Sequence, residues 1–585
     1  MPLRSRVSIL AAGFLHTTLA IFAPAASAAP WVADGVPVCV APGGHLDPVA
    51  AADGAGGAII AWTDRRDTVS AIYAIRLTAS GAPAPGWPVN GRPVSQTSTG
   101  QYNPSIVSDG SGGAIIAWVD KRGGAVSGAD LYAQRVAANG ANAAGWPAAG
   151  LPICRDPLYQ GPPVMCSDGG GGAYIALQNG RGGSNALVAV TRVTGAGVFA
   201  PGWSECGHAL GDGTWHEADP QIARDDAGGV LVVWSDWGLG GPGAPDIMAA
   251  RLTAAGLRDP TWGGWVCKAT GAQGNPVVIS DGSGGGVIAW QDGRPGSGND
   301  IYAQRLGQSG SIAPGWPVDG APVCTSPGLQ YGPRLVQDRT GGALIFWSDG
   351  NVSLTVVTEV RAQHLNGAGA RVSNWPAEGL WCHAAPSGSI LRGVVADGAG
   401  GATLAVEDAG VSGGLQFDVY VDHVTGLGVL SQIRVPACRD PHQQQQTALV
   451  SDGAGGAVLA WQDLRDTPTG SLDFTIYAQH VGAGDIAVDV PADRSLVTAF
   501  ALEGARPNPS RGDLVVAFSL PDAAPATLEL IDLSGRRLRV MAVGELGAGR
   551  RMVRFGAGAR LKPGIYWIKL TWARRTLTSR AVVLP

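Results

Sequence analysis

The chain is 585 residues long, 45% hydrophobic and 15% charged, with 89 Gly, 40 Pro, 19 Trp and a formal net charge of −5. That much tryptophan excludes a disordered polymer, and glycines recurring between apolar runs read as turns between many short strands. Residues 29–503 carry 25 Lys+Arg against 41 Asp+Glu, a balance that repels phosphate backbones, and no basic stripe with interleaved aromatics is present.

At the start of the chain, Arg4 and Arg6 precede an apolar run from Val7 to Ala23, and Ala26-Ser27-Ala28 offers a small-residue cleavage site. Residues 1–28 therefore read as a secretory signal peptide cleaved after Ala28, its apolar part too short for a membrane anchor. No later stretch reaches the roughly 18 uninterrupted apolar residues that a transmembrane segment needs. The expected location is secreted or on the outer cell surface.

From residue 29 to 484 one unit recurs: P-x-[IV]-x-x-D-G-x-G-G-A-x-[IV]-A-W-x-D-x-R, then D-[IL]-Y-A-Q-R-[LV], a G-W-P-x-x-G loop and a short P-[IV]-C. Its turn aspartates are Asp53, Asp109, Asp168, Asp225, Asp281, Asp338, Asp397 and Asp452. A period of about 57 residues belongs to propellers and solenoids. Each unit offers four strand candidates, in the second unit at 105–108, 114–119, 130–137 and 151–154. The D-G-x-G-G between the first two makes a tight hairpin, and four antiparallel strands make one blade. The last unit stops before its G-W-P and P-[IV]-C, whereas "PWVADGVPVC" follows the signal peptide and is that missing tail. The expected fold is all-β: an eight-bladed β-propeller closed by an N-terminal strand laid on Thr475–Val481, which removes an open sheet edge.

Seven cysteines, Cys39, Cys154, Cys206, Cys267, Cys324, Cys382 and Cys438, read as one repeat position, with Ser95 as the eighth member. Equivalent points on neighbouring blades lie beyond disulfide reach, so mostly buried free thiols are expected. Cys166 stands apart and could reach a neighbour. No CxxC or CxxH pair suggests zinc, and the turns carry single aspartates rather than D-x-D-x-D-G, so neither a metal nor a cofactor is expected. The turns are similar to sialidase Asp-boxes only in outline, since S-x-D-x-G-x-x-W is spaced differently.

Residues 485–504 read as a linker, and 505–585 as a small β-sandwich of alternating strands. The strings "PNPSRG", "LELIDLSGRRL", "GAGRRMVRF" and "LKPGIYWIKL" stand in the order found in type IX secretion C-terminal sorting domains, which this region resembles over about 80 residues. Those domains are close to the immunoglobulin-like domain of flagellar hook-capping proteins. The resemblance implies an immunoglobulin-like fold that engages an export machinery. The lysine usual near the end of such domains is absent, and Arg580 stands nearby. From Gly504 onward 14 Lys+Arg stand against 5 Asp+Glu, a basic tail able to touch an anionic surface.

Residues written into many units serve the blade itself. That reading covers the Asp–Arg pairs such as Asp64/Arg66, the tryptophans from Trp62 to Trp461, and His364, His423 and His480, which merely replace Arg. Departures from the repeat are the better functional signal. The links between blades carry His45, Asp47, Gln101, Tyr102, Gln160, His216, Glu217, Gln273, Gln330 and Tyr331, expected to crowd one mouth of the channel and bind a ligand. His216, Glu217 and Asp219 form a local titratable cluster and are the candidates for catalysis, since a glycosidase needs two carboxyls of separated pKa. No G-x-S-x-G elbow, H-E-x-x-H or P-loop is present. The expected function is binding of a glycan or a protein without catalysis. The alternatives are a polysaccharide-cleaving hydrolase or lyase at the same face, or an adhesion spacer. Nucleic acid is not an expected partner.

Overall fold

The computed structural model describes residues 31–485 and 500–584, apart from 96, 98, 124–127, 159, 183–184, 212–213, 239–243, 295–297, 351–356, 385–387, 410–416, 431–434, 468–471, 506–507, 509, 511–513, 522–523, 545–548 and 556–560. The signal peptide reading, residues 1–28, lies outside the described residues, as does most of the stretch read as a linker.

The described chain is nearly all β-strand, with one short 3₁₀ turn at Lys121–Gly123. Residues 31–485 form eight four-stranded antiparallel sheets, an arrangement that fits a propeller. In the first sheet the strands run His45–Ala52, Ala58–Asp64, Ala71–Leu77 and Arg92–Pro93. The second strand, AIIAWTD, is buried at every residue, because neighbouring sheets cover both of its faces. The first strands of the eight sheets neighbour one another in chain order, and that of the eighth, Gln444–Ser451, returns to that of the first. The eighth sheet takes its fourth strand from the N-terminal side: Val36–Cys39 pairs antiparallel with Thr475–Val481, setting Val36 opposite Ala478 and Pro37 opposite Tyr477.

Three further contacts fasten that junction. Gln479 Nε2 donates to Val32 O at 2.8 Å, Arg465 Nη2 to Asp34 O at 2.9 Å, and Trp31 Nε1 to Ala79 O of the first sheet at 3.0 Å. Gly35, with φ of 91°, lies flat on the Trp461 indole. A Cβ there would stand 2.6 Å from Cη2, so only glycine fits.

Two polar devices recur around the ring. In the hairpin turn, Asp53 Oδ1 accepts the N–H groups of Ala55 and Gly57, each at 2.8 Å. Its other oxygen accepts Arg76 Nε at 3.0 Å, and Arg76 Nη1 donates onward to Ala138 O of the next sheet. His364 does the same with its two ring nitrogens, 3.0 Å from Asp338 and 3.0 Å from Gly426 O, so the histidines in that series are structural.

The second device joins the first, fifth and eighth sheets each to the one before it. Asp64 Oδ2 accepts Trp62 Nε1 at 2.8 Å and Arg66 Nη2 at 2.7 Å. The Arg66 guanidinium lies 4.0 Å from the centre of the Tyr73 ring and reaches Cys39 Sγ, on the eighth sheet, at 3.3 Å. The same group recurs at Trp290, Asp292, Arg294 and Cys267, and at Trp461, Asp463, Arg465 and Cys438. Here Trp, Asp, Arg, Tyr and Cys form one buried cluster that spans two sheets.

Cysteine usage departs from expectation at one place. Cys154 and Cys206 form a disulfide, with Cα atoms 4.3 Å apart, joining the second sheet to the third. Cys206 does not share the position of Cys39. It aligns with Asn90, Asp319 and Asp34, which all share its positive φ of about 60°. Those residues cap the preceding sheet through a side-chain oxygen, as Asn90 Oδ1 accepts Val40 N at 3.0 Å and Asp319 Oδ1 accepts Lys268 N at 3.0 Å. At the third sheet a covalent bond replaces that cap. Cys39, Cys267, Cys324, Cys382 and Cys438 are buried free thiols, and Cys166 is free and half-buried.

Residues 500–584 form a three-stranded sheet, ordered Ala501–Ala505, Leu514–Leu520 and Gly549–Phe555, and a four-stranded one, ordered Arg537–Ala542, Ala526–Asp532, Gly564–Trp572 and Arg575–Val583. One apolar core lies between them, with Phe518 and Phe555 from the first and Leu528, Ile568 and Leu570 from the second. Ala501–Ala505 begins inside the stretch read as a linker, because its apolar residues, with Phe500, complete that core.

Deleting residues 31–39 would leave Thr475–Val481 as a bare edge and strip the eighth-to-first cluster of Cys39. The shortened protein is expected to unfold at lower denaturant and to self-associate. A chemical-unfolding midpoint and elution volume equal to those of the full chain would refute this role of the strand.

Candidate functional site

At or near the start of six first strands stands a residue that the sequence reading placed at a channel mouth. His45, Gln101, Gln160, Glu217, Gln273 and Gln330 are instead buried, at 2% exposure or less, and lie between sheets. The main-chain N–H groups of His45 and the four glutamines donate to the preceding sheet, as from Gln101 to Ser70 O at 2.9 Å and from Gln330 to Asn299 O at 2.8 Å. The Gln101 amide accepts Ile72 N with its oxygen and donates to Asp120 Oδ2 with its nitrogen, at 3.1 and 2.9 Å. An amide suits this place because it offers an acceptor to one sheet and a donor to the next. Tyr102 and Tyr331 are half-buried beside these residues, the Tyr102 ring under Lys121.

Glu217 is explained by what its neighbour lacks. In the third sheet the place equivalent to Cys39 is Gly211, and the Glu217 side chain occupies the room a Cβ would take there. Its Oε2 accepts Val188 N at 2.7 Å. The carboxylate is therefore enclosed between sheets, away from solvent.

His45 brings an imidazole into the eighth-to-first cluster. Its Nδ1 lies 3.1 Å from Asp64 Oδ2, and its Nε2 lies 3.5 Å from Cys39 Sγ and 2.9 Å from Ala41 O. Burial alone would lower its pKa, but hydrogen bonds to Asp64 and Cys39 outweigh that and raise it to about 10. Burial would likewise raise Asp64, and its bonds to His45 and Arg66 hold it well below the usual carboxylate range. Cys39, His45 and Asp64 place a thiol, an imidazole and a carboxylate within 4.8 Å of one another, a donor set that the search for CxxC and CxxH spacing passed over. Arg66 and the imidazolium already supply the positive charge there, so the donors serve a hydrogen-bonded clamp.

The half-buried and exposed polar residues gather elsewhere. The third residue of many first strands is a bulge with positive φ: Asp47 at 53°, Asn103 at 52°, Asp219 at 53° and Asn275 at 50°. A side chain from the preceding sheet holds the bulge, as Gln462 Oε1 accepts Asp47 N at 2.9 Å and Gln291 Oε1 accepts Gly332 N at 3.2 Å. Burial raises the Asp47 carboxyl, with Arg65 opposing it. Across the third to sixth sheets these bulges bound a cavity of about 270 Å³ lined by Gln178, Asp219, Gln221, Asn275 and Arg334, with Val164 and Val277 between them. Of the residues expected to bind or catalyse, Asp219 alone lines it.

Beside the cavity lies an aromatic surface. Trp215 and Trp237 are 51% and 38% exposed, in a protein whose repeat tryptophans are wholly buried. The half-buried His216 ring sits edge-on to Trp237 with centroids 6.2 Å apart, and Trp237 N donates to His216 O at 3.0 Å. Trp215 packs over Gly238, which stands where other sheets carry the clamp arginine. Gln178 links this surface to the cavity, its Nε2 3.0 Å from Glu217 O and 3.4 Å from His216 Nε2. Below, burial together with Asp236 and Asp319 raises the Asp246 carboxyl to about 6.

The site is thus Trp215, His216, Trp237, Gln178 and Asp219 on one rim, with Gln221, Asn275 and Arg334 on the wall. Of these the sequence reading named His216 and Asp219. Trp215, Trp237 and Arg334 carried the same signal, since each departs from the repeat.

No protein-family model matches the chain, and no curated protein does. Among solved structures it is similar to the Hadza microbial sialidase Hz136, at 13% identity over 63% of this chain and 76% of that one, with a TM-score of 0.33. It is also similar to a Penicillium chrysogenum α-L-arabinanase complexed with arabinobiose, at 12% identity over 58% and 99%, with a TM-score of 0.34. A third is an endo-arabinase from Bacteroides thetaiotaomicron, at 11% identity over 45% and 93%, with a TM-score of 0.25. Among the described residues no helix is long and apolar enough to cross a membrane.

His45 titrates near 10 in the folded protein and near 6.5 when free, so its contribution to stability is complete below pH 6.5 and fades as pH rises toward 10. Unfolding midpoints are expected to fall across that window. His45→Gln, which installs the residue of the equivalent sites, should flatten the fall; an unchanged slope would show that His45 is not its source.

Proposed function

We propose that this is an exported protein whose eight sheets are the blades of one closed propeller, and that it binds a glycan at the Trp215–Trp237 rim without cleaving it. The closing pairing of Val36–Cys39 with Thr475–Val481 supports the blade reading. The observation that carries the binding reading is the pair of solvent-facing tryptophans beside a polar cavity. A sugar ring presents an apolar face of C–H groups that stacks on indole, and hydroxyls that need amide and carboxylate partners; Gln178, Asp219, Gln221 and Asn275 supply those next to the indoles. The ligand of the binding reading is accordingly a glycan rather than a protein.

Hydrolysis would need two accessible carboxyls. Glu217 and Asp246 are each 2% exposed, and among the residues lining the cavity Asp219 is the one acid. This favours binding over catalysis. Residues 505–585 act, in this reading, as an immunoglobulin-like domain that directs type IX export. The two sheets around one core, with the "LELIDLSGRRL" hairpin between Ala526–Asp532 and Arg537–Ala542, support it.

Trp215→Ala and Trp237→Ala are each expected to weaken glycan binding by about tenfold, a loss of 1–2 kcal/mol of stacking, with unfolding unchanged. Glycan arrays followed by calorimetry read this. Unchanged affinity would remove the rim from recognition, and release of reducing ends by wild type would replace binding with catalysis. In a host with type IX export, loss of residues 505–585 should strand the protein inside the outer membrane; continued appearance in the medium would refute the sorting role.

A further inference from the structure

One residue on the cavity wall is not demanded by the fold. Arg334 is the residue of its first strand that pairs with the position before the buried tryptophan, Phe346. The equivalent residues are Val49, Ser105, Val164, Gln221, Val277 and Ala448, all uncharged. Seven of the eight sheets close without a charge there, the seventh with Gly393, so packing does not call for the guanidinium.

Nor is the charge answered locally. Arg334 Nη1 donates to its neighbour Pro333 O at 3.2 Å, and among the described residues no carboxylate lies within ion-pair reach of it. Arg392, on the next sheet, is spoken for by Glu407 at 2.8 Å. Burial and the like charge of Arg392 both depress the Arg334 pKa, and no acid offsets them. The side chain is nonetheless open to solvent. A cation held on a cavity wall at electrostatic cost, in a region with 25 basic against 41 acidic residues, is arranged for an anion that arrives from outside.

We infer that the cavity takes a carboxylate-bearing sugar, a uronate unit of an acidic glycan, with its carboxylate on Arg334 and its ring toward Asn275 and Gln221. The inference rests on the glycan-binding reading and narrows it. The planar guanidinium matches a carboxylate with two parallel N–H···O bonds, which a neutral sugar cannot return.

The test is calorimetry of the full chain with three oligomers of matched length: oligogalacturonate, its methyl ester and a sulfated neutral oligosaccharide. Wild type is expected to bind oligogalacturonate at least about tenfold more tightly than the ester, and Arg334→Gln should erase that preference while binding the ester as wild type does. Arg334→Gln should fold normally, because the fourth sheet has Gln221 at the same place. Arg334→Lys, which keeps the charge but not the fork, should retain only part of the preference. Equal binding of acid and ester, or a preference that survives Arg334→Gln, overturns the carboxylate assignment and leaves the glycan reading standing. Tighter binding of the sulfated oligomer assigns the site to sulfate and overturns it too. Binding of none of the three removes the glycan reading along with it.

Discussion

The second strand of each sheet is buried on both faces, and the rest of the ring follows from that. Ala-Ile-Ile-Ala-Trp in the first and second sheets has apolar side chains above and below, so no sheet can satisfy itself; each needs a neighbour on either side. A row of such sheets would leave two ends wet. Returning the last sheet to the first removes both ends, and Val36–Cys39 makes the return permanent by hydrogen bonds as well as by packing. The Trp–Asp–Arg–Tyr–Cys cluster then fixes the spacing. Its aspartate binds the indole of its own sheet, and its arginine reaches the thiol of the previous one.

The cluster is altered beside the rim. In the third sheet Leu177 and Asn179 stand in place of the tryptophan and the aspartate, and in the fourth Gly238 stands in place of the arginine. Two substitutes hold these sheets together: the Cys154–Cys206 disulfide and the Glu217 carboxylate that fills the space at Gly211. With the arginine gone, Trp215 lies over Gly238, and Trp237 turns outward beside His216. The Gly238 departure and the aromatic surface share one sector of the ring, while the seventh sheet, with Val406 in place of the tryptophan, departs without such a surface of indoles.

The architecture was legible from spacing. Eight turn aspartates, four strand candidates per unit and a displaced tail at the N-terminus are local patterns, and local patterns survive in a bare sequence. The site was less so. His45, Gln101, Gln160, Gln273 and Gln330 looked like departures because they are polar at the edge of an apolar strand; they are in fact a regular feature, buried between sheets and bridging them as the Gln101 amide does, in a geometry that spacing does not reveal. Cys206 was read one position class away from its true one, because the third unit lacks the P-[IV]-C that anchors the alignment. Arg334 escaped notice because its meaning depends on seven uncharged counterparts whose register a bulge shifts out of simple counting.

The strand Val36–Cys39 precedes its partner Thr475–Val481 by more than four hundred residues. In the folded protein its hydrogen bonds are made to the last sheet alone, so its native partner is available only after nearly all of the ring. The circle of sheets therefore closes only once both ends of this stretch of chain are present, so the pairing with the largest sequence separation is also the one that completes it.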